Sequence, residues 1–222
     1  MRHALLILLT AATLCCHAQT QKELRDSLTA AARELSFRPD SLDLRIKKAA
    51  WNLQLEQWDY AVEEYDYVLK MDKCNIAALY YRAYAYEKQG RHRYARMDYN
   101  TLLAIVPGHF EAQLGLALLN QKDKRHREAL DMLNTLCERN PGRHEAFAAR
   151  GGVEVERRMY DLAVFDFTRA IELAPGNTDY RLSRADAYIK QGRKTEARKD
   201  LDTLVKMGLA RPTLADFYEK TK

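Results

Sequence analysis

Five alanines, Ala61, Ala95, Ala129, Ala163 and Ala197, stand 34 residues apart with no insertion or deletion between them. A strict period of this length means one supersecondary unit used again and again, and it constrains the fold more than any other feature. Twelve residues before each alanine lies another small residue: Ala49, Ala83, Ala117, Gly151 and Ala185. Four residues after each comes a large apolar one (Tyr65, Tyr99, Leu133, Phe167, Leu201), and three further on sit Val68, Leu102, Leu136, Ala170 and Leu204. Apolar residues recurring at three and four mark one face of a helix, and small residues at matching heights let two helices approach closely. Pro107, Pro141 and Pro175 keep the same period and stop the second helix of their units. Breakers are otherwise scarce, with 9 glycines and 5 prolines in 222 residues. That excludes a many-turned β-sandwich or barrel and leaves an all-α chain of helix pairs. No unit can bury its own apolar face, so neighbours must stack and share a core.

The second unit, IAALYYRAYAYEKQGRHRYARMDYNTLLAIVPGH, resembles a tetratricopeptide repeat, with Leu79, Ala83, Tyr86, Gly90, Tyr94, Ala95, Tyr99 and Pro107 at the signature places. The resemblance implies a right-handed α-solenoid of five helix-turn-helix repeats, at 42–75, 76–109, 110–143, 144–177 and 178–211. Repeat one departs from the pattern at Asn52 and Lys73, and repeat five has Leu209 in place of proline. Residues 19–41 are expected to form an N-terminal capping helix, with Leu24, Leu28, Ala31 and Leu35 on one face. Residues 212–222 form a C-terminal one through Leu214, Phe217 and Tyr218. Caps of this kind cover the otherwise exposed ends of a stack.

The first 18 residues read as a signal peptide: Arg2 and His3, then an apolar run from Ala4 to Leu14, then Cys16, His17 and Ala18 before the cleavage point. The run falls short of the ~20 residues a membrane span requires. The expected location is therefore the periplasm or the medium of a bacterium, with a lipid anchor on Cys15 or Cys16 as the alternative and a buried N-terminal helix as the other. Loss of Arg2 lowers the net charge from +5 to +4. That is too mild to call for nucleic acid, and export argues against it further. Membrane contact, on this reading, is peripheral only. Cys74 and Cys137 are read as small buried or semi-buried residues rather than a disulfide framework.

Comparing the repeats with one another exposes a paired position. Arg82, Arg150 and Arg184 lie sixteen residues before Asp98, Asp166 and Asp200; repeat one has Lys48 and Glu64 there, and repeat three Leu116 and Met132. Charged with charged and apolar with apolar means side-chain contact between the two helices of a repeat. A ligand-binding arginine ladder is the alternative.

No phosphate loop, paired Cys-x-x-Cys or nucleophile motif is present, so no catalytic residue, metal site or cofactor is expected. His92 and His126 each sit inside an Arg-His-Arg triplet that would repel a metal ion. Nine of the 13 tyrosines fall between Tyr60 and Tyr99. The resemblance implies a concave groove lined by first helices that takes a protein or peptide partner. It would use Tyr80, Tyr81, Tyr84, Glu87 and Lys88 in repeat two, Leu114, Gly115, Leu118, Gln121 and Lys122 in repeat three, and Ala148, Ala149, Gly152 and Val155 in repeat four. The small residues among them predict an open pocket. The places of the family's carboxylate clamp hold Ile46, Ala50, Tyr81, Glu111 and Gly115, which does not fit that variant. Asp43, Glu111, Glu145 and Asp179 mark four helix starts, where a negative charge suits the helix dipole. The turns inside the repeats form a basic edge, chiefly Arg91, Arg93, Arg125, Arg127, Arg193 and Lys194, as a second candidate surface toward anionic lipid, lipopolysaccharide or an acidic partner.

Overall fold

The computed structural model describes the backbone of residues 2–222 and the side chains of residues 20–222. The expected leader at 1–18, with Cys15 and Cys16, lies outside the residues whose side chains are described. The described chain is all helix and turn. It divides into two compact bodies, Met1–His109 and Phe110–Lys222, with the boundary between repeats two and three.

The first body holds α1 (Arg2–Phe37), α2 (Leu42–Gln54), α3 (Trp58–Met71), α4 (Ile76–Lys88) and α5 (His92–Ile105). The second holds α6 (Phe110–Lys122), α7 (His126–Arg139), α8 (His144–Glu156), α9 (Tyr160–Leu173), α10 (Thr178–Lys190), α11 (Lys194–Lys206), a 3₁₀ turn at Arg211–Leu214 and α12 (Ala215–Lys220). The even-numbered helices from α2 to α10 each begin 34 residues after the last. Within each body every helix packs on the next in sequence, and first helices also touch one another: α2 with α4, α6 with α8, α8 with α10. That second set of contacts makes a layer of first helices in each body, its inner face.

The periodic residues build the cores. Ala49, Ala61, Ala83, Ala95, Ala117, Ala129, Ala163, Ala185 and Ala197 are fully enclosed, with Tyr65, Tyr99, Leu133, Phe167 and Leu201 buried beside them. Ala31 and Leu35 bury the inner edge of α1, and Leu214 and Tyr218 bury that of the C-terminal segment. Asn75 caps α4 by accepting from the N–H of Ala78 (3.0 Å), and Asn177 caps α10 through the N–H of Asp179 (2.9 Å). Pro107, Pro141 and Pro175 each follow two residues after α5, α7 and α9 end.

The two helices of every repeat are joined by the same turn. The second residue after the first helix is left-handed, at Glu56, Gly90, Lys124, Arg158 and Gly192. The next N–H (Gln57, Arg91, Arg125, Met159, Arg193) reaches back to the carbonyl of Asn52, Tyr86, Asn120, Glu154 or Tyr188 at 2.8–2.9 Å. This is the Schellman arrangement, which satisfies carbonyls at a helix end. Of Cys74 and Cys137, Cys137 is buried as expected, whereas Cys74 is exposed, a correction to its sequence reading; it sits in the turn after α3, where its N–H donates to Asp72. Among the described residues no helix is long and apolar enough to cross a membrane.

Candidate functional site

On the inner face of the first body, α4 presents Tyr80, Tyr81 and Tyr84. Tyr81 is 43% exposed and Tyr84 36%. Trp58 sets its edge against Tyr84 (centroids 6.2 Å apart), and Lys88 Nζ lies 5.2 Å from the same ring. Tyr81 stacks near-parallel on buried Tyr65 at 6.3 Å, which fixes its base and leaves its outer surface open. Tyr80 is half-buried, wedged against Tyr99 and His109. Glu87 accepts a 2.7 Å hydrogen bond from the Tyr99 hydroxyl, which ties it to the core of its own repeat. The open part of the predicted patch is therefore Tyr81, Tyr84 and Lys88, with Trp58 as a member the sequence did not single out.

On the inner face of the second body the predicted residues separate. Leu114 packs on the core around Leu133, as do Ala148 and Ala149, and Gly115 is buried. Gly115, Ala148 and Ala149 thus take part in packing. Leu118 is half-buried and Lys122 exposed, and Gln121 donates to Glu156 Oε1 at 2.7 Å. A cleft does open at the fourth predicted small residue, Gly152. It has a volume of about 400 Å³ and is lined by Gly152, Val155 and Glu156 of α8, Phe167 of α9, Leu182, Ser183 and Asp186 of α10, and Phe217 of α12. All but Phe167 stand at the register of the expected groove; of them, only Gly152 and Val155 were named. Extending the 34-residue step to 156, 182, 183, 186 and 217 finds the rest.

Burial works against the charge of Glu156, but Gln121, Lys124 (3.1 Å) and His126 hold its carboxyl below the usual range. Asp186 pairs with Lys190 at 2.6 Å. The cleft therefore has apolar walls and a rim of two carboxylates, each paired with a lysine.

The adjacent glycines of α8 serve different ends. A Cβ on Gly151 would meet the Phe167 ring at 3.0 Å, so packing demands glycine there. A Cβ on Gly152 would meet only the end of the flexible Gln121 side chain, at 3.7 Å. Glycine inside a helix costs roughly 1 kcal/mol relative to alanine. Gly152→Ala is accordingly expected to raise the Tm by about 2–4 °C, and Gly151→Ala to lower it; thermal melts of the two variants check the contrast.

The paired arginines are internal clamps. Each guanidinium grips both carboxylate oxygens of its partner at 2.6–2.8 Å: Arg82 with Asp98, Arg150 with Asp166, Arg184 with Asp200. Lys48 reaches Glu64 at 2.5 Å, and Arg45 reaches it at 2.8 Å. The third arm of each arginine bonds the second helix of the preceding repeat, at Asp66, Asn134 or Thr168. Tyr218, one period after Arg184, donates to Asp202 at 2.7 Å in the same manner. The ladder reading is thereby replaced by one of inter-repeat fastening. Beside Arg150 and Asp166 lies Glu154, 5% exposed, with Oε2 unpartnered. Burial first, and the Asp166 carboxylate second, push its carboxyl up to about 8 against the pull of Arg150.

On the basic edge, Arg91 lies over Tyr86 and Tyr94 (4.8 and 4.5 Å), while Arg193 lies over Tyr188 (4.6 Å) and pairs with Glu196. Arg93, Arg125, Arg127 and Lys194 are exposed. Among the described residues no group of three or more His, Cys, Asp or Glu is placed to hold a metal ion.

A family model for the tetratricopeptide repeat matches residues 52–109, 82–144 and 148–210. No curated protein sequence matches the chain. A solved tetratricopeptide repeat protein from Parabacteroides merdae ATCC 43184 has a TM-score of 0.74 at 19% identity, over 91% of this chain and 79% of that one. Pseudomonas aeruginosa pilF gives 0.68 at 20% identity, over 78% and 79%. YrrB, described as a TPR protein with an unusual peptide-binding site, gives 0.58 at 20%, over 81% and 92%. At these identities the likeness is one of fold.

Proposed function

The chain belongs to the tetratricopeptide repeat family, and from that premise we propose a non-catalytic adaptor or assembly scaffold of the bacterial cell envelope that holds a peptide or protein segment against the inner face of its first helices. The observation that carries this reading is the open aromatic surface of Tyr81 and Tyr84, backed by Trp58 and rigidly based on Tyr65. Tyrosine supplies large contact area with a polar tip, the profile of residues that dominate recognition surfaces. The similar fold of YrrB, with its peptide-binding site, supports a stack of this kind as a peptide holder. The envelope part rests on the leader-like residues 1–18 alone, and an intact mass of the exported protein decides between a Gln19 start and a lipidated Cys15 or Cys16.

A second reading is favoured by one observation: exposed Arg93, Arg125, Arg127 and Lys194 have no carboxylate partner among the described residues. Such an edge suits an anionic lipid, lipopolysaccharide or acidic partner. Affinity capture from an envelope fraction tests the two together. Tyr81→Ala with Tyr84→Ala is expected to lose the captured protein, while charge reversal at Arg91, Arg93, Arg125 and Arg127 retains it. The opposite pattern, with wild-type protein floating on phosphatidylglycerol vesicles, overturns the groove in favour of the edge.

A further inference from the structure

We propose that the Gly152 cleft is a specificity pocket for one bulky apolar side chain flanked by an arginine, so that the partner is a segment carrying an apolar–arginine pair. The proposal rests on the inner-face reading above and deepens it. Its first support is volume and lining: about 400 Å³ walled by Val155, Phe167, Leu182 and Phe217 accepts an aliphatic or aromatic side chain, with the polar groups of Ser183, Glu156 and Asp186 beside it.

The second support is Gly152 itself. Nothing in the packing requires a glycine there, since a Cβ would make ordinary contact with Gln121 and no other group. A helix-interior glycine that packing does not demand weakens α8 and gives the fold nothing in return. What it does give is depth, because any side chain at 152 would project into the cleft. Its neighbour Gly151, held by the Phe167 ring, shows how a packing glycine looks in the same helix.

Charge identifies the flanking residue. Glu156 on α8 and Asp186 on α10 both line the cleft, and both are satisfied by ammonium groups of Lys124 and Lys190. Those lysines are exposed to a large extent, at 73% and 41%. A ligand guanidinium offers a planar fork of donors to a carboxylate where an ammonium offers a point contact, so arginine displaces them more readily than lysine does. An acidic flank has no donor to offer the two lining carboxylates and finds both lysines already engaged by them.

The test is selection of a random nonapeptide display library on the immobilised full chain. Enriched peptides are expected to place Phe, Leu or Trp next to Arg. A fluorescein-labelled peptide of that consensus should bind Gly152→Leu roughly tenfold or more weakly than wild type, and Gly152→Ala weakly in the same direction. Gly152→Ala also guards the result against misfolding, since its melting temperature should rise. Glu156→Gln with Asp186→Asn should abolish the preference for Arg over Gln in the peptide. Consensus peptides that are acidic or lack a bulky apolar residue overturn the proposal, as does unchanged binding to both Gly152 variants. Peptides lost with Tyr81→Ala and Tyr84→Ala but kept by Gly152→Leu overturn the pocket and leave the inner-face reading standing. A library yielding no enriched peptide overturns both.

Discussion

Replacing Glu154 by glutamine is expected to stabilise the protein by about 3–5 kcal/mol at pH 9 and to change little at pH 5. The carboxyl is buried in α8 beside the Arg150–Asp166 pair, and its pKa stands near 8 in the fold against 4.5 when free. The folded state thus binds this proton more tightly than the unfolded chain does. Stability from that proton is complete below about pH 4.5, declines as pH rises, and is gone above about pH 8, where folding must bury a second negative charge beside Asp166. Glutamine keeps the size and a donor toward Asp166 but has no charge to bury, so its stability lacks this slope. Urea unfolding of both proteins at pH 5, 7 and 9 checks it. A wild-type minus variant difference that stays constant across the three pH values would sink the assignment.

This buried acid also shows where sequence reading stopped. Asn52, Tyr86, Asn120, Glu154 and Tyr188 share one place in the period, and their backbone carbonyls all accept the turn hydrogen bond. Nothing in a mixed column of Asn, Tyr and Glu says that a carboxylate there is enclosed. The helix pairs, their joins and the sixteen-residue charge pairs were legible, because the first two repeat a physical requirement in all five repeats and the charge pairs do so in four. The third arm of each arginine was not, since its acceptors differ in kind: a carboxylate at Asp66, an amide at Asn134, a hydroxyl at Thr168. The candidate site divided along the same line. Tyr81 and Tyr84 drew attention as large residues, whereas the cleft is made by a missing side chain at Gly152 and closed by Phe217, a residue of the half-repeat after repeat five. The packing around Gly115, Ala148 and Ala149 depends on how far apart α6 and α8 settle, which composition at those positions does not reveal.

The charge pairs themselves carry the other large effect, and Arg184 with Asp200 is the cleanest case because no buried acid adjoins it. Asp200 takes two hydrogen bonds from the guanidinium, at 2.7 and 2.8 Å, and the third arm reaches Thr168 at 2.8 Å. The two side chains are 16% and 7% exposed. Arg184→Leu leaves a buried carboxylate without a counter-charge, and Asp200→Met leaves a guanidinium with only the Thr168 hydroxyl. Each single change is expected to cost about 3–5 kcal/mol. The double variant should cost far less, because two apolar groups of matching length need neither solvation nor a partner. Repeat three already adopts that solution, with Leu116 and Met132 in the equivalent places. A double-mutant cycle by urea unfolding should therefore give a coupling energy of at least about 2 kcal/mol. Additive losses would mean that the pair is held apart from its own energetics by the surrounding helices, and that its pattern in the sequence reflects the separate demands of two positions rather than one contact.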